Sequence, residues 1–136
     1  MFELFEHTAD LGLRVHANSL QELFIDAARG LLVMHVANPN DVRPLESKTI
    51  SLTADGPAYL LFDWLSELIY AFETDKLLFS DFDLKIDGNK LNAVCRGEPM
   101  DQTRHRMEHE VKAITYHGLR VEQTESGWEA EVIVDI

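Results

Sequence analysis

The sequence has 136 residues, of which 46% are hydrophobic and 26% are charged, proportions that indicate a folded domain and argue against a disordered chain. Asp and Glu number 24 against 12 Lys and Arg, so the formal net charge is −12. Such a chain repels phosphate backbones, and direct binding of RNA or DNA is therefore not expected. The excess acid serves solubility alone, or it favours a cationic partner surface or a bound divalent metal.

Cysteine content and the N-terminus indicate the cellular compartment. Cys95 is the only cysteine, which excludes an internal disulfide and a thiolate metal cluster. Because Cys95 alternates with Leu91 and Ala93, we interpret it as a buried structural thiol rather than a reactive one. The N-terminal residues lack the features of a signal peptide, and no apolar segment has membrane-spanning length. We therefore expect a cytoplasmic protein with no membrane partner.

The first half of the sequence predicts a strand, a helix, a second strand and a second helix. Apolar residues that alternate predict each strand, and apolar residues at helical spacing predict each helix. Ser19 and Glu22 have the spacing of a capping box, and Asp55 is the expected N-cap of the second helix. The predicted elements are a strand over 11–17, a helix from 19 to about 34, a loop over 35–47, a strand over 50–54, and a helix that opens at Asp55-Gly56-Pro57 and buries Trp64.

The second half predicts strands only. Asp87-Gly88-Asn89 is a hairpin signal between two alternating segments. The predicted elements are strands over 82–86 and 91–95, a polar segment over 99–108, a strand over 111–121, a turn over 125–127 and a strand over 128–136. The whole pattern predicts one α+β domain over residues 1–136, in which two amphipathic helices pack on a mixed or largely antiparallel sheet.

One segment fits a catalytic zinc motif. His105, Glu108 and His109 have the H-x-x-E-H spacing of a class of metallopeptidases, which needs both imidazoles on one face of a stable helix. This segment follows Gly97 and Pro99 closely and runs directly into an alternating segment. A loop or the start of a strand is therefore our preferred interpretation, and a small metal-dependent hydrolase or peptidase is the alternative.

Two aspartates and a lysine are further candidates. Asp10 follows His7 in an H-x-x-D spacing, which commonly reflects only a buried histidine beside a surface aspartate. Asp135 lies on the polar face of the last predicted strand, and carboxylates are ligands of hard cations such as Ca²⁺ or Mg²⁺. The spacing does not show whether Asp10 and Asp135 meet. Lys112 either extends into water or pairs with a cluster of carboxylates.

Several segments taken together resemble the archease family over nearly the whole chain. Each motif is modest alone, and their order in a chain of this length makes the resemblance specific. They are Glu6-His7-Thr8-Ala9-Asp10 with Gly12, Trp64-Leu65-Ser66-Glu67-Leu68-Ile69, Gly97-Glu98, Val111-Lys112-Ala113-Ile114-Thr115-Tyr116-His117 and Val134-Asp135-Ile136.

The resemblance implies a function beyond what the residue patterns show. Archeases are non-catalytic accessory proteins of the RtcB-type RNA ligase in tRNA splicing and RNA repair, and they promote guanylylation of the ligase and its turnover. The resemblance implies a divalent-metal site for Ca²⁺, Mg²⁺ or Mn²⁺ at Asp10, Asp135 and the main chain of Ile136. It implies further functional residues at His7, Glu98 and Lys112. A chaperone-like interaction module is the remaining alternative.

Overall fold

The computed structural model describes residues 1–7 and 10–136 and, of His7, only the main chain. Within these residues the chain forms seven β-strands and two α-helices, with a short 3₁₀ turn at Pro39–Asp41. The elements are β1 (Phe2–His7), β2 (Asp10–Ala17), α1 (Leu20–His35), β3 (Glu46–Thr53), α2 (Pro57–Asp75), β4 (Leu77–Asp87), β5 (Lys90–Pro99), β6 (Ala113–Thr124) and β7 (Gly127–Asp135).

The strands form two sheets, whereas the sequence pattern predicted one. The first sheet has the order β1-β2-β7-β6 and the second has the order β3-β5-β4. Each strand pair within the described residues is antiparallel. The predicted α+β class is confirmed, and the single sheet is wrong because alternation identifies strands without showing which strands pair.

The helix termini follow local chemistry. The Oγ of Ser19 accepts a hydrogen bond from the main-chain N–H of Glu22 at 3.2 Å, which confirms Ser19 as the N-cap of α1. The N-cap of α2 is Gly56, with φ of 96° and no capping side chain, so the predicted role of Asp55 is wrong. Pro57 begins α2 without needing a hydrogen-bond acceptor, because the first helical N–H has none within the helix.

Both helices pack against both sheets. α1 contacts β2 and β4, and α2 contacts β6 as well as all three strands of the second sheet. Trp64 is fully buried, and its indole N–H donates to the main-chain oxygen of Phe24 at 3.0 Å, which joins α2 to α1. The predicted role of Trp64 in the core is therefore confirmed. Within the described residues, neither helix has the length and apolar content to cross a membrane.

Three further features test the expectations. Cys95 is fully buried, and burial raises the pKa of its thiol to about 12, which confirms a structural thiol. The strand β1 was not predicted, because Phe5 interrupts the alternation of Phe2 and Leu4. The strand β6 begins at Ala113, two residues later than predicted, although Val111 is buried.

His35 predicts how stability responds to pH. It is buried at the end of α1 against Phe72, with 4.5 Å between ring centroids, and burial lowers its pKa from 6.5 to about 4. The unfolded chain takes up this proton near the ordinary pKa, so the free energy of unfolding falls as pH drops from the ordinary towards the lowered pKa. Urea denaturation should show a loss of about 2 kcal/mol between pH 7 and pH 5.

The variant His35→Leu is the matched control, because it keeps an apolar contact with Phe72 without a titratable group. We expect the variant to lose most of this pH dependence. If it retained the pH dependence of the natural chain, the assignment to His35 would be wrong.

Candidate functional site

Asp10 and Asp135 lie directly opposite each other in the ladder between β2 and β7. Both side chains are half-buried. Asp10 also pairs with the main chain of His7, and Asp135 pairs with Ala113, so one row crosses all four strands of the first sheet. Residues directly opposite on antiparallel strands point to the same face, with Cβ atoms about 5 Å apart. The structure therefore brings together the two aspartates whose proximity the spacing left open.

This acidic row lies on the outer face of the first sheet. Val132 and Val134 of β7 are fully buried on the face that packs against the helices, and Asp135 alternates with them. Lys112 lies just before β6, and its main-chain N–H donates to the main-chain oxygen of Asp135 at 2.8 Å. The half-buried Ile136 follows Asp135 directly in the chain. The side chain of His7, together with Thr8 and Ala9, lies outside the described residues, so the predicted role of His7 stays a prediction.

In the neighbouring row, an aromatic ring of β1 covers a glycine of β2. Phe5 pairs with Gly12, and Gly12 pairs with Ile133. A Cβ added to Gly12 would lie 2.1 Å from the ring of Phe5, so the ring covers this position only because glycine has no side chain. The guanidinium carbon of Arg14 lies 4.7 Å from the centroid of the same ring. This contact explains why Gly12 belongs to the motif around Asp10.

A third row carries a network of ion pairs. Arg14 donates to Glu3 at 2.7 Å and lies 3.5 Å from Glu131, while Arg120 lies 3.4 Å from the same Glu131 and 3.2 Å from Glu122. These arginines are partly exposed, and such pairs add little to stability. Within residues 1–7 and 10–136, no three His, Cys, Asp or Glu side chains group closely enough to hold a metal ion. Among the described side chains, the acidic row offers the two carboxylates of Asp10 and Asp135.

Glu98 lies in the other sheet, away from the acidic row. It is 4% exposed, its carboxylate pairs with the guanidinium of Arg104, and the main-chain N–H of Arg43 donates to it at 2.6 Å. Burial alone would raise the pKa of Glu98, but the Arg43 hydrogen bond and the charges of Arg104 and His105 outweigh burial and lower it. This environment indicates that Glu98 anchors the loop after β5, and its implied functional role stays a prediction.

The H-x-x-E-H segment does not form a zinc site. Residues 101–112 contain turns and no helix. The buried His105 accepts a hydrogen bond at Nδ1 from the main-chain N–H of Asp101 at 2.9 Å, and its Nε2 lies 3.3 Å from Glu98. The main chain of His109 bonds to Met34 instead. Because the helix required by the motif is missing from this segment, the zinc-peptidase interpretation is wrong.

Comparison with known proteins decides the family. The family model described as "Archease protein family (MTH1598/TM1083)" matches residues 2–136. The chain belongs to the archease family. An archease of Methanopyrus kandleri is 40% identical over 139 residues, which cover 99% of each chain. An archease of Pyrococcus abyssi is 36% identical over 140 residues, which cover 99% of this chain and 98% of the relative.

Solved structures agree with the archease fold. The solution structure of protein 1598 of Methanobacterium thermoautotrophicum is 32% identical, has a TM-score of 0.83, and is matched over 99% of this chain and 98% of the other. The crystal structure of an archease from Thermotoga maritima, described as a possible chaperone, is 22% identical with a TM-score of 0.67 over 100% and 98%. The first comparison supports family and fold, and the second supports the fold alone.

One exposed feature of this archease was not singled out by the sequence patterns. The three tyrosines of the chain are Tyr59 and Tyr70 on α2 and Tyr116 on β6, and each is more than half exposed. The apolar pattern of α2 predicted its buried stripe and made no prediction for the opposite face. Tyrosines at helical spacing outside the apolar stripe are the signal that could have identified this surface.

Gly12→Ala should destabilise the chain by about 2 kcal/mol, because the new Cβ displaces the ring of Phe5. Denaturant unfolding measures the change. The double variant Gly12→Ala with Phe5→Ala should be no less stable than Phe5→Ala alone, since the clash has gone. Strictly additive effects in this cycle would contradict the proposed contact.

Glu98→Ala should lower the free energy of unfolding by about 3 kcal/mol, because it leaves Arg104 unpaired at a partly buried position. The matched control is Glu46→Ala, which removes an exposed carboxylate on the adjacent strand β3 and should change stability by less than about 0.5 kcal/mol. Equal stability of the two variants in thermal unfolding would show that the Glu98 ion pair does not anchor the loop.

Proposed function

We propose that this archease activates an RtcB-type RNA ligase in tRNA splicing or RNA repair, by promoting guanylylation of the ligase and restoring its turnover. Membership of the family over residues 2–136 supports this proposal. The observation that carries it is the register that sets Asp10 opposite Asp135, because the resemblance implies an acidic metal site at these two residues. We propose no bond-making step for the chain itself.

The acidic row suits a divalent cation such as Ca²⁺, Mg²⁺ or Mn²⁺. Like charges directly opposite on neighbouring strands repel, and a cation between them replaces repulsion with attraction. Asp10, Asp135 and the main chain of Ile136 supply oxygen ligands, which hard cations prefer. A cation held by so few protein ligands keeps coordination positions for water or for groups of a partner.

The part of this chain in activation is to hold and present the carboxylates. Asp135 is fixed because β7 pairs with strands on both sides, and Asp10 is fixed because β2 pairs with β1 on one side and with β7 on the other. When bound, a cation would neutralise part of the negative charge of the nucleotide phosphates. We propose that the acidic row docks at the mouth of the ligase active site and helps orient nucleotide phosphates for attack by the ligase histidine.

A simpler variant of the proposal is that docking only opens a ligase blocked by its product. Both variants fit a cytoplasmic accessory protein with no nucleic-acid surface of its own, which the net charge of −12 favours. The two variants differ in whether activation needs the carboxylates of the acidic row. Orientation of phosphates requires Asp10 and Asp135, whereas opening a blocked ligase requires only the contact surface.

The deciding experiment is guanylylation of the cognate RtcB-type ligase under multiple turnover, with and without this protein. We expect strong stimulation by the natural chain and a loss of at least about tenfold with Asp135→Asn, which keeps side-chain shape and removes charge. Glu129→Gln is the matched control, since it removes a carboxylate from the same face of β7. No stimulation by the natural chain would overturn the proposal.

Thermal unfolding gives an independent measurement on the same variants. Addition of Mn²⁺ or Ca²⁺ after EDTA treatment should raise the Tm of the natural chain and of Glu129→Gln but not that of Asp135→Asn. An equal rise in all three proteins would place cation binding elsewhere.

A chaperone-like interaction module is the second candidate function. The description of the Thermotoga maritima relative as a possible chaperone and the exposed tyrosines favour it. It predicts that Asp135→Asn keeps full activity toward the partner and that cations have no effect. The hydrolase alternative depended on the H-x-x-E-H spacing and is not supported, because residues 101–112 do not form the helix that the zinc motif needs.

A further inference from the structure

An exposed aromatic stripe lies along the outer side of α2 and the start of β6. Tyr59, Tyr70 and Tyr116 are 55%, 57% and 62% exposed. Tyr116 stacks on the half-buried Phe62 with ring centroids 4.0 Å apart and an interplanar angle of 4°, and Tyr59 meets Tyr116 edge-on at 6.2 Å. Together these four residues, which we call the tyrosine stripe, contain every tyrosine of the chain.

Packing of the core does not account for the tyrosine stripe. Tyr116 lies where the ladder between β6 and β7 shifts register, between Thr115 and Arg120, and it stays 62% exposed despite its stacking on Phe62. Tyrosine combines a rigid apolar ring with a polar hydroxyl, and it is enriched where proteins bind each other. Three such rings on one exposed surface therefore indicate a contact surface rather than residual core.

The charge around the tyrosine stripe selects the chemistry of the partner. The helix α2, all of which the structure describes, contains Asp63, Glu67, Glu73 and Asp75 and neither Lys nor Arg. Lys112 lies at the adjoining cleft, but the four carboxylates of α2 outnumber it, so this aromatic surface suits a basic partner. Arginine fits best, because its guanidinium stacks on aromatic faces and also pairs with carboxylates.

The tyrosine stripe and the acidic row lie on the two sides of the edge strand β6. An open cleft of about 240 Å³ lies between α2 and β6, and Phe62, Tyr70, Lys112 and Ala113 are among the residues that line it. Ala113 is the direct ladder partner of Asp135. A partner that covers the cleft would therefore meet the edge strand β6 and, on the other side of that strand, the acidic row.

We propose that the tyrosine stripe docks onto an arginine-bearing, basic surface beside the active site of the ligase. This inference rests on the proposed function. A ligase that joins RNA ends must hold a polyanion and therefore presents Lys and Arg around its active site. The stripe supplies the affinity of the complex, and the acidic row acts once the complex has formed.

The test measures the dissociation constant of the complex with the cognate ligase by titration calorimetry, alongside stimulation of guanylylation. The double variant Tyr59→Ala with Tyr116→Ala should weaken binding by about tenfold or more. Leu45→Ala is the matched control, because Leu45 is 68% exposed and lies outside the stripe. Tyr116→Phe keeps the ring and should bind like the natural chain, and thermal unfolding confirms that each variant folds.

Charge is tested separately through Glu73→Gln and Asp63→Asn. Both variants should weaken binding and reduce its dependence on salt. Asp135→Asn should keep the affinity of the natural chain while losing stimulation, which would separate docking from activation.

Three outcomes would overturn the inference. If the natural chain binds and stimulates, and the double tyrosine variant does both equally well, the stripe is not the docking surface and the proposed function stands. If the natural chain neither binds nor stimulates the ligase, the proposed function and the inference fall together. If sedimentation shows a dimer that the double variant dissociates, the stripe pairs two copies of this chain instead.

Discussion

The register of β7 between β2 and β6 is the constraint on which the candidate site depends. Side chains on a strand alternate between faces, so a slip of one residue would turn Asp135 into the core and bring Val134 to the solvent. Val132 and Val134 are fully buried. A slip would expose these side chains to water, and the free-energy cost of that exposure prevents it. The hydrophobic pattern that stabilises the first sheet therefore also positions a carboxylate next to Asp10, which comes from the other end of the chain.

Main-chain pairing between strands sets the positions of the residues in the acidic row. β7 pairs with strands on both sides, and β1 pairs with β2 along its length, where the ring of Phe5 packs on Gly12. A sheet can keep two like charges close together, because the hydrogen bonds of its ladders together stabilise the strands by more than the repulsion between two carboxylates destabilises them. The sheet thus holds the two carboxylates in place, whereas Glu98 and His105 stabilise a loop on the other sheet.

The sequence predicted local features well and long-range features poorly. The N-cap at Ser19 and the alternation of β7 depend on neighbours within a few residues, and both were correct. The division into two sheets and the pairing of Asp10 with Asp135 depend on contacts between distant segments, which spacing does not encode. Only the family resemblance linked the two aspartates in advance. The N-cap of α2 is Gly56 rather than the predicted Asp55, because the chain enters this helix with a positive φ, which favours glycine.

The edge strand β6 lies between the acidic row and the tyrosine stripe and contributes residues to both. An open edge invites unspecific strand pairing, and the register shift after Thr115 together with Gly118, at φ of 66°, breaks up that edge. Recognition at this edge must then come from side chains, and the tyrosine stripe is what the fold offers there. The main-chain N–H of Lys112, just before β6, donates to the main-chain oxygen of Asp135, and Ala113 of β6 pairs with the same residue. The two surfaces therefore share one strand while using different side chains. Affinity for a partner can therefore change without altering the acidic row.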